Sequence, residues 1–299
     1  MQKSATAIRT LRHALVVLEG LEAPHPALER ALALARQAEL RLTLVLWDYV
    51  AQLDHGYLFE RVQRERLREE RRKEKESALD AMTAPMREDG LEVDAVYAWG
   101  SSATEAILQV ADSLQPDLLI APIHVHPRLS LRHQDWGLIQ HASAPVLLTR
   151  GKPWGQPVQL LAAVDPTHDH DKPAVLDHGL LALGRQLEAR LSGELHVAHL
   201  FDVDAVPARW RESIRTVHAD AFEAFRAVAD VPDERLHYRE LPAETGLLRL
   251  TEELKTDLLI MGAVKRGRLD QALIGHTAER VIDLVQCDLL VLKPGQLST

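Results

Sequence analysis

A single cysteine, Cys287, is all the thiol chemistry this sequence offers, so an internal disulfide and a cysteine-based structural zinc site are both excluded. A reducing compartment is the natural setting for such a chain. No stretch approaches the roughly 18 continuous apolar residues of a membrane-spanning helix. The opening residues, MQKSATAIRTLRH, carry no apolar run of the secretory kind. The expected location is therefore the cytoplasm, with no membrane partner. Positive charge is in deficit: 35 Lys and Arg stand against 44 Asp and Glu, a formal net charge of −9. Nonspecific nucleic-acid binding rests on basic surface, so this balance argues against nucleic acid as a partner. Also absent are the glycine–lysine signature of a P-loop, a G-x-S-x-G elbow and a paired zinc-ligand motif, so no catalytic residue is nominated.

What is present is the balance of a folded globular protein, with 46% hydrophobic and 26% charged residues over 299 positions, enough for two domains with real cores. An internal repeat divides it. PDLLIAP from Pro116 is echoed by TDLLIMG from Thr256, and the helical segment before each, ATEAILQVADSLQ from Ala103 and AETGLLRLTEELK from Ala243, stays in step with no gap. Upstream, HALVVLEG from His13 answers LLAAVDPT from Leu160, which sets Glu19 opposite Asp165. Downstream, SAPVLLTRG answers QCDLLVLKPG, pairing Pro145 with Asp288. The Gly- and Pro-rich segment RGKPWGQP, Arg150 to Pro157, lies outside any periodic pattern and marks a linker. The expected domains are residues 1–152 and 157–299.

Each copy gives the same order of elements. A short apolar run with the length of a buried strand (Ala14 to Leu18; Leu160 to Val164) precedes a helix with one apolar face. LTLVLW from Leu42 and LHVAHLF from Leu195 follow, then a long polar helix, then LEVDAVYA from Leu91 and LHYRE from Leu236. A helix, the DLLI strand, a further helical segment and a terminal apolar strand close the copy. Strands alternating with helices of this length predict α/β domains, each a doubly wound parallel sheet of five strands with helices on both faces. Ligands of such sheets sit at the carboxyl ends of strands near the point where strand order reverses. The run RVQRERLREERRKEKE from Arg61 predicts a solvated helix laced with i, i+4 ion pairs.

The second copy reads MGAVKRGRLDQALIGHTAERVID from Met261, and here the chain resembles the universal stress protein family. Nucleotide binders of that family carry glycine, two residues, glycine, nine residues, then glycine and a serine or threonine. Gly262 holds the first place, Lys265 stands where the second glycine belongs, Gly275 keeps the third, and His276 and Thr277 follow. Glycines suit such a place because phosphates approach the main chain closely and N–H groups at a helix N-terminus hold the anion. Gly262 and Gly275 suit equally well the bland duty of ending a strand and starting a helix. The resemblance further implies a nucleoside contact at Asp165 and an adenine-pocket residue at Leu200. Both positions also suit a turn-forming Asp and a core leucine.

In the first copy Ala121 begins APIHVHPRLSLRHQDWGLIQHASAP, with no glycine frame, so a phosphate cradle is not expected there. The two-copy layout resembles tandem members of the family. That resemblance implies a strand order of 3-2-1-4-5 in both sheets, as in adenine nucleotide alpha hydrolase-like folds. It also implies intramolecular pairing of the domains as a pseudo-dimer, with the terminal strands near Val146 to Thr149 and Leu289 to Leu292 close to the interface. A further protein partner is left unnamed.

Histidines invite a metal reading, at His124, His126, His133 and His141 and at the run around His168 and His170 with His178 beyond it. Imidazole and carboxylate suit zinc, yet the spacing matches no metal motif, and exposed loop histidines are ordinarily just solvated. His168 and His170 are the best candidates. The function expected is a noncatalytic stress-response or regulatory binding protein with at most weak ATP binding in the second domain. The alternatives are slow ATP hydrolysis in that pocket, or a module for a partner or small apolar ligand with vestigial nucleotide sites.

Overall fold

The computed structural model describes residues 10–37, 39–54, 60–123, 133–167, 174–204, 206–263 and 276–296, with only the backbone at 133–135, 174 and 276–279. It divides into two compact units, one formed by residues 11–123 and 133–151 and the other by residues from 152 onward.

In the first unit β1 (His13–Leu18), β2 (Arg41–Asp48), β3 (Val93–Trp99), β4 (Leu118–Pro122) and β5 (Val146–Thr149) lie in the order β3-β2-β1-β4-β5, every pair parallel. Between them run α1 (Pro26–Gln37), the short α2 (Ala51–Asp54), α3 (Arg61–Glu88), α4 (Ala103–Leu114) and α5 (His133–His141). The strands form because their apolar runs are buried on both sides: Leu15, Val16, Leu44, Leu119 and Ile120 have no measurable exposure. Right-handed crossovers carry α1 and α3 over one face and α4 with α5 over the other; α4 and α5 pack together. Ser102 caps α4, its Oγ accepting from the Glu105 N–H at 3.3 Å.

The second unit repeats the plan. Its strands are β6 (Gln159–Val164), β7 (Glu194–Phe201), β8 (Leu236–Glu240), β9 (Leu258–Gly262) and β10 (Asp288–Leu292), in the order β8-β7-β6-β9-β10, again all parallel. The helices are α6 (Ala174–Leu191), α7 (Ala208–Ala229), α8 (Ala243–Glu253) and α9 (His276–Leu284). Both units thus have the 3-2-1-4-5 order that the family resemblance implies.

One aspartate before each DLLI strand fastens the start of the central strand. Asp117 accepts from the N–H groups of Arg12 and His13 at 3.0 and 3.1 Å. Asp257 does the same for Gln159 at 2.8 Å and also holds Gly155 at 3.0 Å. With Trp154 donating its indole N–H to Asp288 at 3.1 Å, the later part of the joining segment is fastened to the second unit.

The long α3 carries the i, i+4 pairs Arg61–Glu65, Arg66–Glu70 and Arg72–Glu76. Others of its arginines turn inward. Arg71 grips the carboxylate ending β2, Asp48, with Nε and Nη2 at 2.5 and 2.9 Å, and the Tyr97 hydroxyl donates to the same carboxylate at 3.0 Å. Arg68 pairs with Asp54 and lies over the Trp99 ring.

Candidate functional site

Strand order reverses between β6 and β9 in the second unit, so the carboxyl ends of those strands define the crevice where a ligand of this fold would sit. Asp165 follows β6 directly. Its N–H donates to Asp177 Oδ1 at 3.0 Å, and its own Oδ1 accepts from the Thr167 hydroxyl at 2.7 Å, so the carboxylate closes a local turn. Leu200 lies one residue before the end of β7 and reaches toward α8: a Cβ on Gly246 would lie 2.5 Å from Leu200 Cδ2. Gly262 ends β9. A Cβ there would lie 2.7 Å from Cδ2 and 3.2 Å from Cγ of Leu176, a fully buried residue of α6. The glycine is thus matched to a close approach by the chain's own leucine.

Lys265 and Gly275 lie outside the described residues, as do His168 and His170. His276 and Thr277 open α9, so the last part of the motif stands at a helix N-terminus, with the side chains undescribed. Asp165, Leu200 and Gly262 therefore fall at three neighbouring strand ends. The structure adds that each is engaged by the protein itself. No group of three or more metal-ligating side chains occurs among the described residues, where His141 and His178 are exposed.

The matching crevice of the first unit lies between the ends of β1 and β4. Among the described residues, a small hollow there is lined by Glu19, Pro24, His25, Pro26 and Pro122. Among the described residues, larger hollows of about 280 Å³ each lie elsewhere: one between β3 and α4 beside Trp99 and Val110, another between α7 and β8 beside Phe222 and Tyr238.

Two features of this region were not read from the sequence. His199, on β7 beside Leu200, is 1% exposed and joins His218 of α7 across 2.9 Å from Nε2 to Nδ1. Its Nδ1 lies 3.3 Å from the carbonyl of Val164, the residue before Asp165. Burial holds the His199 imidazole below its ordinary pKa, assisted by His218; the hydrogen bond to Val164 and the charges of Asp165 and Asp177 oppose the shift without cancelling it. On the opposite face of β7, His196 Nδ1 meets His237 Nε2 of β8 at 3.0 Å. The strand period of two would have placed His196 and His199 on opposite faces; their partners are distant in sequence and gave no signal.

Comparison with known proteins agrees with this layout. The universal stress protein family matches twice, over residues 10–150 and 159–293. Universal stress protein E of Salmonella typhi is 25% identical over 299 residues, covering 95% of each chain. A solved candidate universal stress protein from Pseudomonas aeruginosa UCBPP-PA14 superposes with a TM-score of 0.77 at 28% identity, covering 97% of this chain and 95% of its own. One from Archaeoglobus fulgidus, at 13% identity and a TM-score of 0.63, shares the fold over 95% of this chain and 99% of its own. Two family matches, each coinciding with one five-stranded unit, lead to one conclusion: this chain is a tandem-domain protein that belongs to the universal stress protein family.

Proposed function

We propose that the chain acts as a noncatalytic stress-response or regulatory binding protein, with at most weak ATP binding, confined to the second domain. The observation that carries this reading is the packing at Gly262, where the room beside the first motif glycine is taken up by Leu176. A phosphate cradle needs that main chain to be open to the ligand. Asp165, engaged with Thr167, and Leu200, packed on Gly246, are likewise committed within the protein. Lys265 in place of the second glycine adds a side chain where the family's nucleotide binders have none, and His276 after the third puts an imidazole where they have a small hydroxyl residue. The lack of a glycine frame after Ala121 supports a first domain, residues 1–152, without a nucleotide. The second domain spans 157–299 in this reading, and two tandem domains allow pairing within one chain.

Calorimetric titration of Mg-ATP tests the proposal. The wild type is expected to bind more weakly than about 100 μM. Lys265→Gly with His276→Ser should return main-chain donors to the phosphates, each charge-assisted hydrogen bond contributing about 1.5–3 kcal/mol and thus roughly tenfold or more in affinity. Tight binding by the wild type, or no gain in a folded double variant, overturns it.

A further inference from the structure

The two imidazole pairs on β7 share a geometry that limits how many protons they can hold. Ring centroids lie 5.1 Å apart for His199–His218 and 5.2 Å for His196–His237, while the facing nitrogens are 2.9 and 3.0 Å apart. An imidazole nitrogen lies about 1.1 Å from its ring centre, so separations differing by a little over 2 Å mean that the rings meet nearly nitrogen to nitrogen. A single proton fits between two nitrogens at that distance; two do not. A metal midway would lie far inside the roughly 2.0 Å of a metal–imidazole bond, so the pairs are hydrogen bonds and not a ligand clamp.

For the buried pair the direction of the chain follows. The Val164 carbonyl can only accept, so His199 carries its proton on Nδ1 and its Nε2 accepts from His218 Nδ1–H. A proton taken up anywhere but between the two rings leaves this chain intact. A second must go to His199 Nε2, where it meets the His218 N–H head-on. Rings flank the pair: Phe201 and Phe222 lie beside His199 with centroids at 6.0 and 5.9 Å, and Phe201 lies 4.4 Å from His218. The charged groups facing His199 are Asp165 beyond β6 and Asp177 of α6. Around the outer pair, Arg235 and Arg239 disfavour the extra charge, while Glu188 of α6, Glu194 and Glu253 of α8 favour it.

We propose that these two pairs form an acid-sensitive latch in the second domain, in which a second proton on either pair breaks its N–H···N bond and loosens α7 or β8 from β7. The His199–His218 chain ends on Val164, so the loosening reaches the strand end that positions Asp165. The latch belongs to one domain only. β2 and β7 are both eight residues long and take the same register on their central strands, and β2 carries Thr43 and Leu46 where β7 carries His196 and His199. The pK direction agrees: His196, His199 and His237 are all held below the ordinary imidazole value, chiefly by burial. Folding therefore favours their neutral forms. The stability this contributes is complete above about pH 6.5 and is lost as pH falls through and below that value. In the first domain His13 is also held low, mainly by burial, but bonds a hydroxyl, Thr43 Oγ1 at 2.8 Å, which can turn to accept from a charged ring.

Hydrogen exchange on the full chain, corrected for the intrinsic pH dependence of exchange, reads this out. Between pH 7.5 and 5.0, peptides covering residues 194–240 should lose protection about tenfold or more, the equivalent of one pK unit on one group, while those covering 41–99 change less than about threefold. His196→Thr with His199→Leu, the residues the first domain uses, should bring 194–240 to the behaviour of 41–99. Imidazole proton resonances of the wild type provide a reading that needs no variant: coupled, two-step titration of His199 with His218 and of His196 with His237 is expected. Independent single-step titration near the ordinary value, or equal acid response in both segments, overturns the latch.

Discussion

Replacing Gly262 with alanine tests directly why a glycine ends β9. The added methyl would lie 2.7 Å from Leu176 Cδ2 and 3.2 Å from Cγ, against about 3.5–4.0 Å for carbon atoms in comfortable contact. Leu176 is 0% exposed, so its side chain cannot swing into solvent to make room. The expected cost is that of overpacking a close-packed site, about 1–3 kcal/mol. Leu176→Ala alone removes buried methyl groups and leaves a cavity, costing about 2–5 kcal/mol. In the double variant the new methyl enters the space the leucine vacated, so the two losses should fall short of their sum by about 1 kcal/mol or more. Urea unfolding followed by circular dichroism, fitted to one transition for each domain, measures all three proteins. If Gly262→Ala is neutral within about 0.5 kcal/mol and shows no coupling to Leu176, packing is not what the glycine provides.

Other expectations rest on different parts of the molecule. Gly246→Ala would bring a methyl to 2.5 Å from Leu200 Cδ2 and should cost about 1–3 kcal/mol in thermal unfolding, with Leu200→Ala relieving part of it. Asp257→Ala removes the acceptor for Gly155 and Gln159 and should cost about 1–3 kcal/mol, with faster amide exchange at both. Burial opposes ionisation of Asp48, but hydrogen bonds from Arg71 and Tyr97 outweigh it and leave its pKa below the ordinary carboxylate value. Its contribution is therefore present above about pH 4 and lost as pH falls through the lowered value; Asp48→Asn should flatten the acid limb of first-domain stability, seen in melts from pH 6 to 2.

The duplication makes the fold legible in the sequence. Blocks such as PDLLIAP and TDLLIMG give the order of elements twice over, and apolar runs such as Leu15–Val17 between helices suit the middle of a parallel sheet. The site was legible only as a set of positions. Asp165, Leu200 and Gly262 do fall at adjacent strand ends, but nothing near Gly262 in sequence reveals that Leu176, on another element, lies against it. The same holds for Asp117 and Asp257, whose acceptor role depends on chain starts about a hundred residues away, although their repetition before both DLLI strands was a visible signal. The histidine pairs were hidden for the same reason, since His218 and His237 reach β7 from two different elements.

The nucleotide content of the purified protein tests the central claim most directly. Denaturing a known amount of the full chain and quantifying released ATP and ADP by chromatography gives an occupancy that needs no variant and no added ligand. Leu176 packed against Gly262 and Asp165 held in its turn predict well below one nucleotide per chain. Release of one equivalent of nucleotide per chain would contradict it.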